Sequence, residues 1–234
     1  MFSAPMIRAI LREIEHPGTG KTQTRRILTP QPYNFVTDGK HYWNASGMVG
    51  GRICISDRAL LDLHRKPSSG DRLWVREEWK TTKLYDPTPP RDLPRSAPIH
   101  YTSHDRLWPV ARYRASMFMP RWASRITLYV TEVRVQRLQD ISEADAISEG
   151  IVEDDGSEPD IFYLPGAHRL AGVNAKKGAL PINSHPDPRL VYRDLINNLH
   201  NGALWSENSW VAAYSFVPRL GNIDAVPATL TEAA

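Results

Sequence analysis

Arg125-Ile126-Thr127-Leu128-Tyr129-Val130-Thr131-Glu132-Val133-Arg134-Val135-Gln136-Arg137-Leu138, followed at once by Asp140-Ile141-Ser142-Glu143-Ala144-Asp145, is the stretch on which the reading of this chain turns. Branched and aromatic residues dominate it, as a pleated, half-buried surface requires. Ile126, Leu128 and Val130 share one parity and Val133 and Val135 the other, which predicts a long strand with a bulge or break near Thr131. Ser142-Glu143-Ala144-Asp145 has the form of a capping box, so a short helix starts there and ends near Gly150.

Working outward, the elements on either side are short and mostly strands. Ser69-Gly70-Asp71 is a turn, and Arg72 to Trp79 alternates in the way of a half-buried strand. Ile99-His100-Tyr101-Thr102 reads as another. Thr37-Asp38-Gly39-Lys40 carries the Asp-Gly signal of a tight hairpin between Tyr33-Asn34-Phe35-Val36 and His41-Tyr42-Trp43, and Arg52 to Ile55 reads as a further strand. Trp210 to Val217 is the last. Ile7, Ile10, Leu11 and Ile14 fall on one helical face near the start, and Tyr192, Leu195, Ile196 and Leu199 mark another helix. The proline-rich residues 86 to 98 and the acidic residues 152 to 188 are irregular. Strands without regular βαβ alternation predict an α+β fold around a small, mostly antiparallel barrel.

Composition excludes several classes. The chain has 234 residues, of which 41% are hydrophobic, enough for a substantial core. No apolar run approaches the roughly 18 residues of a membrane span, and the start is a charged helix rather than a signal sequence, so a cytoplasmic protein is expected. The single cysteine, Cys54, supports neither a disulfide framework nor a thiolate metal site. His100 and His104 lack an adjacent acidic ligand pattern, so neither metal nor cofactor is expected. Residues 1 to 139 hold 23 Lys and Arg against 12 Asp and Glu, an excess of 11 positive charges, whereas residues 140 to 234 hold 6 against 14, an excess of 8 negative ones. That polarity suits a polyanionic partner and equally suits two parts of the chain that attract each other.

Gly20-Lys21-Thr22-Gln23-Thr24-Arg25-Arg26 concentrates an amine, two hydroxyls and two guanidiniums. It is not a phosphate-binding P-loop, because Glu15 stands where that motif needs its first glycine and a helix precedes the loop in place of a strand. Lys21 and Thr24 are three apart, a spacing that can bring an amine to a hydroxyl nucleophile, while the same basic loop can simply hold phosphates. Glu149, at the carboxyl end of the capped helix, is placed as a general acid or base if shielded from water and is otherwise an ordinary last-turn glutamate. Trp74, Arg76 and Glu77, with Arg121 and Trp122, interleave aromatic and charged groups as a groove for bases and phosphates does, and as core tryptophans beside surface arginines also do.

Taken together, Gly20 to Arg26, Gly70 to Glu77, Met119 to Arg125, Asp140 to Gly150 and Trp210 to Phe216 give the chain a resemblance to the ASCH family, domains with a PUA-like barrel, and especially to its longer phage and prophage members. The resemblance implies one domain over residues 1–219 with inserts at about 30–69, 81–118 and 152–188, and a flexible tail over 220–234. Small bacterial members are amidohydrolases that deacylate N4-acetylcytidine with a lysine, a threonine three residues later and a glutamate in the helix after the long strand. By resemblance those are Lys21, Thr24 and Glu149, with Arg25, Arg26, Trp74, Arg76, Glu77, Arg121 and Trp122 as substrate-binding candidates. The expected partner is a modified cytidine nucleoside or a nucleic acid, with no membrane. A non-catalytic RNA- or DNA-binding module of PUA type is the alternative, and a phage accessory protein that binds another protein is a third.

Overall fold

The structure is a computed structural model that describes residues 2–37, 40–44, 57–64, 66–103, 111–154, 161–165, 184–200 and 204–230. In chain order its main elements are α1 (Ala4–Glu15), β1 (Gln23–Ile27), β2 (Tyr33–Thr37), β3 (Lys40–Asn44), α2 (Asp57–Leu63), β4 (Arg72–Trp74), β5 (Trp79–Lys80), β6 (His100–Tyr101) and β7 (Ile126–Arg137). There follow α3 (Glu143–Ser148), β8 (Val152–Glu153), β9 (Phe162–Tyr163), α4 (Pro188–Leu199), α5 (Leu204–Glu207) and β10 (Trp210–Leu220). Among the described residues the fold is α+β, with one four-stranded sheet in the order β1-β10-β7-β4 and three two-stranded ribbons, β2-β3, β5-β6 and β8-β9. β1 pairs antiparallel with β10, and β4 with β7. The predicted Asp-Gly hairpin is present as Tyr33–Thr37 against Lys40–Asn44. The predicted strand at Arg52 to Ile55, like Cys54 and His104, lies outside the described residues.

By its internal contacts the chain divides into two units, one of residues 1–22, 72–129 and 217–234, the other of residues 23–71 and 130–216. In the first, α1 buries the face that its periodicity marks, with Ile7, Ile10 and Leu11 inside. A second cluster joins Trp79, Leu93, Ala97, Met119 and Ala123, with Trp74, Tyr101 and Trp122 packed against it. The strand expected over Arg72 to Trp79 is two short ones with different partners, β4 pairing with β7 and β5 with β6, and Glu77 between them is 1% exposed. Residues 221–227, expected in a flexible tail, are tied down here. Arg72 donates to the carbonyls of Ile223, Val226 and Pro227, and the Tyr129 hydroxyl donates to Pro227.

In the second unit α3 packs on α4. α4 starts on the cap its sequence offers, the Asp187 carboxylate accepting from the Arg189 amide with Pro188 in the first turn. β7 is one continuous strand through Thr131, so the chain does not break there. Its alternation fails because all five residues from Ile126 to Val130 are buried, and exposure begins only at Thr131 and Glu132.

Candidate functional site

Alternation along β1 sends Gln23 and Arg25 to one side of the strand and Thr24 and Arg26 to the other. Each pair is joined by its own hydrogen bond, Arg25 Nη1 to Gln23 Oε1 at 3.1 Å and Arg26 Nη1 to Thr24 Oγ1 at 2.8 Å. The two sides have different chemistry.

On the first side Arg25 is enclosed by carboxylates from α3 and its carboxyl cap. Nη2 meets Asp145 Oδ2 at 2.9 Å and Nη1 meets Glu149 Oε1 at 3.1 Å, with the guanidinium side chain 1% exposed. Asp145 also accepts from Gln23 Nε2 at 2.8 Å and from Arg134 Nη2 at 3.0 Å. Burial works to raise the Asp145 pKa, but hydrogen bonds from Gln23 and Arg134 and the charges of Arg25 and Arg134 outweigh it, so the carboxyl lies below the usual range. The capping box is therefore half formed. Ser142 Oγ accepts from the Asp145 amide, while the Asp145 carboxylate turns away to the arginines. From α4, the Tyr192 ring lies 5.8 Å from the Arg25 guanidinium and its phenol is hydrogen-bonded to Glu149. Burial foremost, then the Glu149 charge, lifts that phenol well above its ordinary pKa against the opposing charges of Arg25 and Arg26. Tyr192 thus feels both arginines of β1.

The second side is less complete. Thr24 stands opposite Tyr214 in the register with β10, so their side chains share a face. Both are buried, at 5% and 3% exposure, and Arg26 is the half-buried member that reaches solvent. Among the described residues the Tyr214 hydroxyl has no hydrogen-bond partner. Burial pushes its pKa up to about 12, with Arg26 opposing, so at neutral pH it is a phenol with a proton to donate. A buried O–H without an acceptor is costly, which is the condition in which a ligand group finds its place.

Lys21 belongs to the first unit, at 1% exposure, its amide donating to the Ala9 carbonyl at 3.0 Å and its amine 6.0 Å from the Phe2 ring. The preceding loop explains itself without phosphate. Glu13 accepts from the amides of Gly18 and Gly20, the donors a P-loop would turn to its ligand. Gly20 is required by close approach, since a Cβ there would collide with the Ala9 carbonyl and the Glu13 backbone.

The other substrate-binding candidates of this unit are committed to protein contacts. Glu77 takes a two-pronged ion pair from Arg125, Nε to Oε1 at 2.9 Å and Nη2 to Oε2 at 3.0 Å, and accepts from Ser103 Oγ at 2.6 Å. Arg125 stacks on Tyr101 at 4.0 Å. Arg76 lies 4.5 Å over the ring of Trp74 and donates to the Met117 carbonyl, and Arg121 is paired with Asp224 at 2.8 Å. Trp74 and Trp122 brace the apolar cluster around Trp79. Sequence reasoning missed Asp145, Tyr192, Tyr214 and Arg125. Only the pairing of β1 with β10 could have singled out Tyr214.

No protein-family model, curated protein or solved structure matches the chain. Among the described residues no group of three or more His, Cys, Asp or Glu is placed to hold a metal ion, and no helix is long and apolar enough to cross a membrane.

Proposed function

We propose that this chain is an amidohydrolase that removes the acyl group from N4-acylated cytosine nucleosides, on a PUA-like barrel of ASCH type to which the four-stranded sheet belongs. One observation carries the reading: the buried Thr24 hydroxyl receives a cationic donor, Arg26 Nη1 at 2.8 Å, on the strand face it shares with the unpartnered Tyr214 phenol. A guanidinium on an alcohol oxygen favours the form that has given up its proton. The phenol opposite is a donor suited to the carbonyl oxygen of an amide as it gains negative charge, a contribution worth roughly 3 kcal/mol for one well-placed donor.

In this reading Thr24 attacks the acyl carbon or positions the water that does, and Lys21 takes the proton, the role the resemblance gives it. When the tetrahedral adduct collapses, the bond from the acyl carbon to N4 breaks and the departing nitrogen takes a proton, so that cytidine leaves with its amino group restored; the resemblance gives that proton to Glu149, which is held on the Arg25 side of β1, across the strand from Thr24. Water completes release of the carboxylic acid. Arg25, Asp145 and Tyr192 hold Glu149 in place, which makes them positioning residues.

Release of cytidine from N4-acetylcytidine, followed chromatographically, tests the reading. Thr24→Ala, Lys21→Ala and Glu149→Gln should each lose at least a hundredfold in kcat/KM, Thr24→Ser should keep measurable activity, and a chelator should change nothing. Wild-type inactivity across a panel of N4-acylcytidines, or a fully active Thr24→Ala, removes the proposal.

A further inference from the structure

The segment between Trp79 and Arg121 carries a feature that neither the deacylation reading nor the resemblance uses. Leu84, Tyr113, Met117 and Phe118 are 79%, 49%, 54% and 58% exposed, an unusual density of large apolar side chains for one short stretch of surface. Phe118 lines two adjoining hollows of about 460 and 350 Å³ that also share Pro89 and Pro90, and Tyr113 lines the larger. Arg112, Tyr113 and Arg114 also line the first; Arg91 and Pro120 also line the second.

The walls are fixed without any ligand. Arg114 donates to the carbonyls of Tyr85 and Thr88 at 2.6 and 3.0 Å and lies 5.3 Å from the Trp79 ring. The Tyr113 phenol is hydrogen-bonded to Glu78. The Arg112 amide donates to Asp86 Oδ1 at 2.8 Å, and the residue is exposed. Arg91 is 87% exposed, and its ion pair with Asp92, at 3.6 Å between two solvated side chains, holds it weakly. Residues 81–103 and 111–121 carry six Lys and Arg against two Asp, both of them just named. Each hollow therefore offers an aromatic face and an exposed guanidinium, in surroundings that favour anions.

We propose that these two hollows hold successive nucleotides of a single-stranded nucleic acid, with bases against Phe118 and Tyr113 and the backbone phosphates at Arg91 and Arg112. Stacking on ring faces together with arginines along the backbone is how strands are bound without regard to sequence. A second hollow that shares Phe118 with the first and has its own cation fits a repeating ligand better than a lone nucleoside. A proline-rich peptide is disfavoured, because the hollows already supply the prolines that such a ligand would bring to an aromatic groove. The inference is independent of the deacylation reading.

Fluorescence anisotropy with a labelled octauridylate and the whole chain tests it, with hydrolysis of free N4-acetylcytidine measured on the same samples. Wild type should bind with an affinity that falls steeply with salt. Phe118→Ala should weaken binding roughly 5- to 150-fold, the loss of one stacked base. Arg91→Ala and Arg112→Ala should each reduce the salt slope by about 0.7. All three side chains are at the surface, so melting temperature and nucleoside hydrolysis should stay at wild-type values. The proposal is overturned if the oligonucleotide does not bind at 50 mM salt, if it binds Phe118→Ala and the arginine variants as well as wild type, or if a proline-rich peptide binds in its place. Wild type that binds the oligonucleotide but does not hydrolyse N4-acetylcytidine would count against the deacylation reading alone.

Discussion

Replacing Arg25 by Met should destabilise the protein as the loss of a buried charge does. Its guanidinium meets Glu149 at 3.1 Å and Asp145 at 2.9 Å, and the side chains involved are 1%, 4% and 13% exposed. Breaking such a pair from one end leaves a carboxylate uncompensated and costs roughly 3 to 5 kcal/mol. Asp145 keeps Arg134 and Gln23, so the cost falls mainly on Glu149, which loses its Arg25 ion pair and keeps the Tyr192 hydrogen bond. The lower end, about 3 kcal/mol, is therefore expected, equivalent to a melting temperature lower by roughly 6 to 12 °C in a chain of this size. Urea unfolding at pH 7, read through the seven tryptophans, measures it directly. Adding Glu149→Gln to Arg25→Met removes the stranded charge and should restore most of the loss, so the two substitutions couple by about 2 kcal/mol. A single-variant cost below about 1 kcal/mol, the range of solvated pairs, would refute this account of the site, as would a double variant as unstable as the sum of its parents.

Three further outcomes follow from the same geometry. Gly20→Ala should cost several kcal/mol by thermal melt, because the new methyl meets the Ala9 carbonyl and the Glu13 backbone, whereas Gly18→Ala, with open space but φ of 87°, should cost only about 1 to 2 kcal/mol. Asp145 has a depressed folded pKa, so its contribution is whole at neutral pH and is lost as pH falls below the ordinary carboxylate value near 4; denaturation at pH 6, 4 and 3 should show a steeper acid loss in wild type than in Asp145→Asn. Tyr214→Phe should unfold no more easily than wild type, and up to about 1 kcal/mol less easily, yet raise KM or lower kcat for N4-acetylcytidine.

Local signals carried most of the elements. The i, i+3, i+4 spacing of Ile7, Ile10 and Leu11, the Asp-Gly turn and the Ser142 cap are written within a few residues and reappear as α1, the β2-β3 hairpin and α3. What stayed hidden depends on partners far along the chain. Asp145 looked like half of a capping box because its neighbours are local, but Gln23 and Arg25 lie 122 and 120 residues away. Glu77 looked like part of an alternating strand, and Arg125, 48 residues on, draws it inward. The charge asymmetry admitted two explanations, and the Arg25 and Arg134 pairs with Asp145 and Glu149 show basic and acidic parts of the sequence neutralising each other inside one unit. Of the candidate site, the residue types were legible at β1 and α3. Which side of the strand each occupied was not, since alternation assigns faces only once a partner strand fixes the register.

The two faces of β1 differ in what their buried polar groups meet: paired charges on one, a neutral hydroxyl without an acceptor on the other. Around Arg25 the two guanidinium nitrogens that carry its ion pairs and both Asp145 oxygens have partners, while Nε is buried without one among the described residues; removing a member of the ion pairs exposes a charge and the fold suffers. Around Thr24 the reverse holds, because the Tyr214 hydroxyl stays buried without an acceptor and deleting it should relieve the fold. A group that stability alone would discard needs another reason to be there, and a bound amide carbonyl supplies one. Arg25→Met with Tyr214→Phe is therefore a paired test of the division: the first should lose stability and take activity with it, and the second should lose activity while stability holds or rises. If both variants lost stability and activity in parallel, the two faces of β1 would be one structural core, and Thr24 would have no separate claim to chemistry.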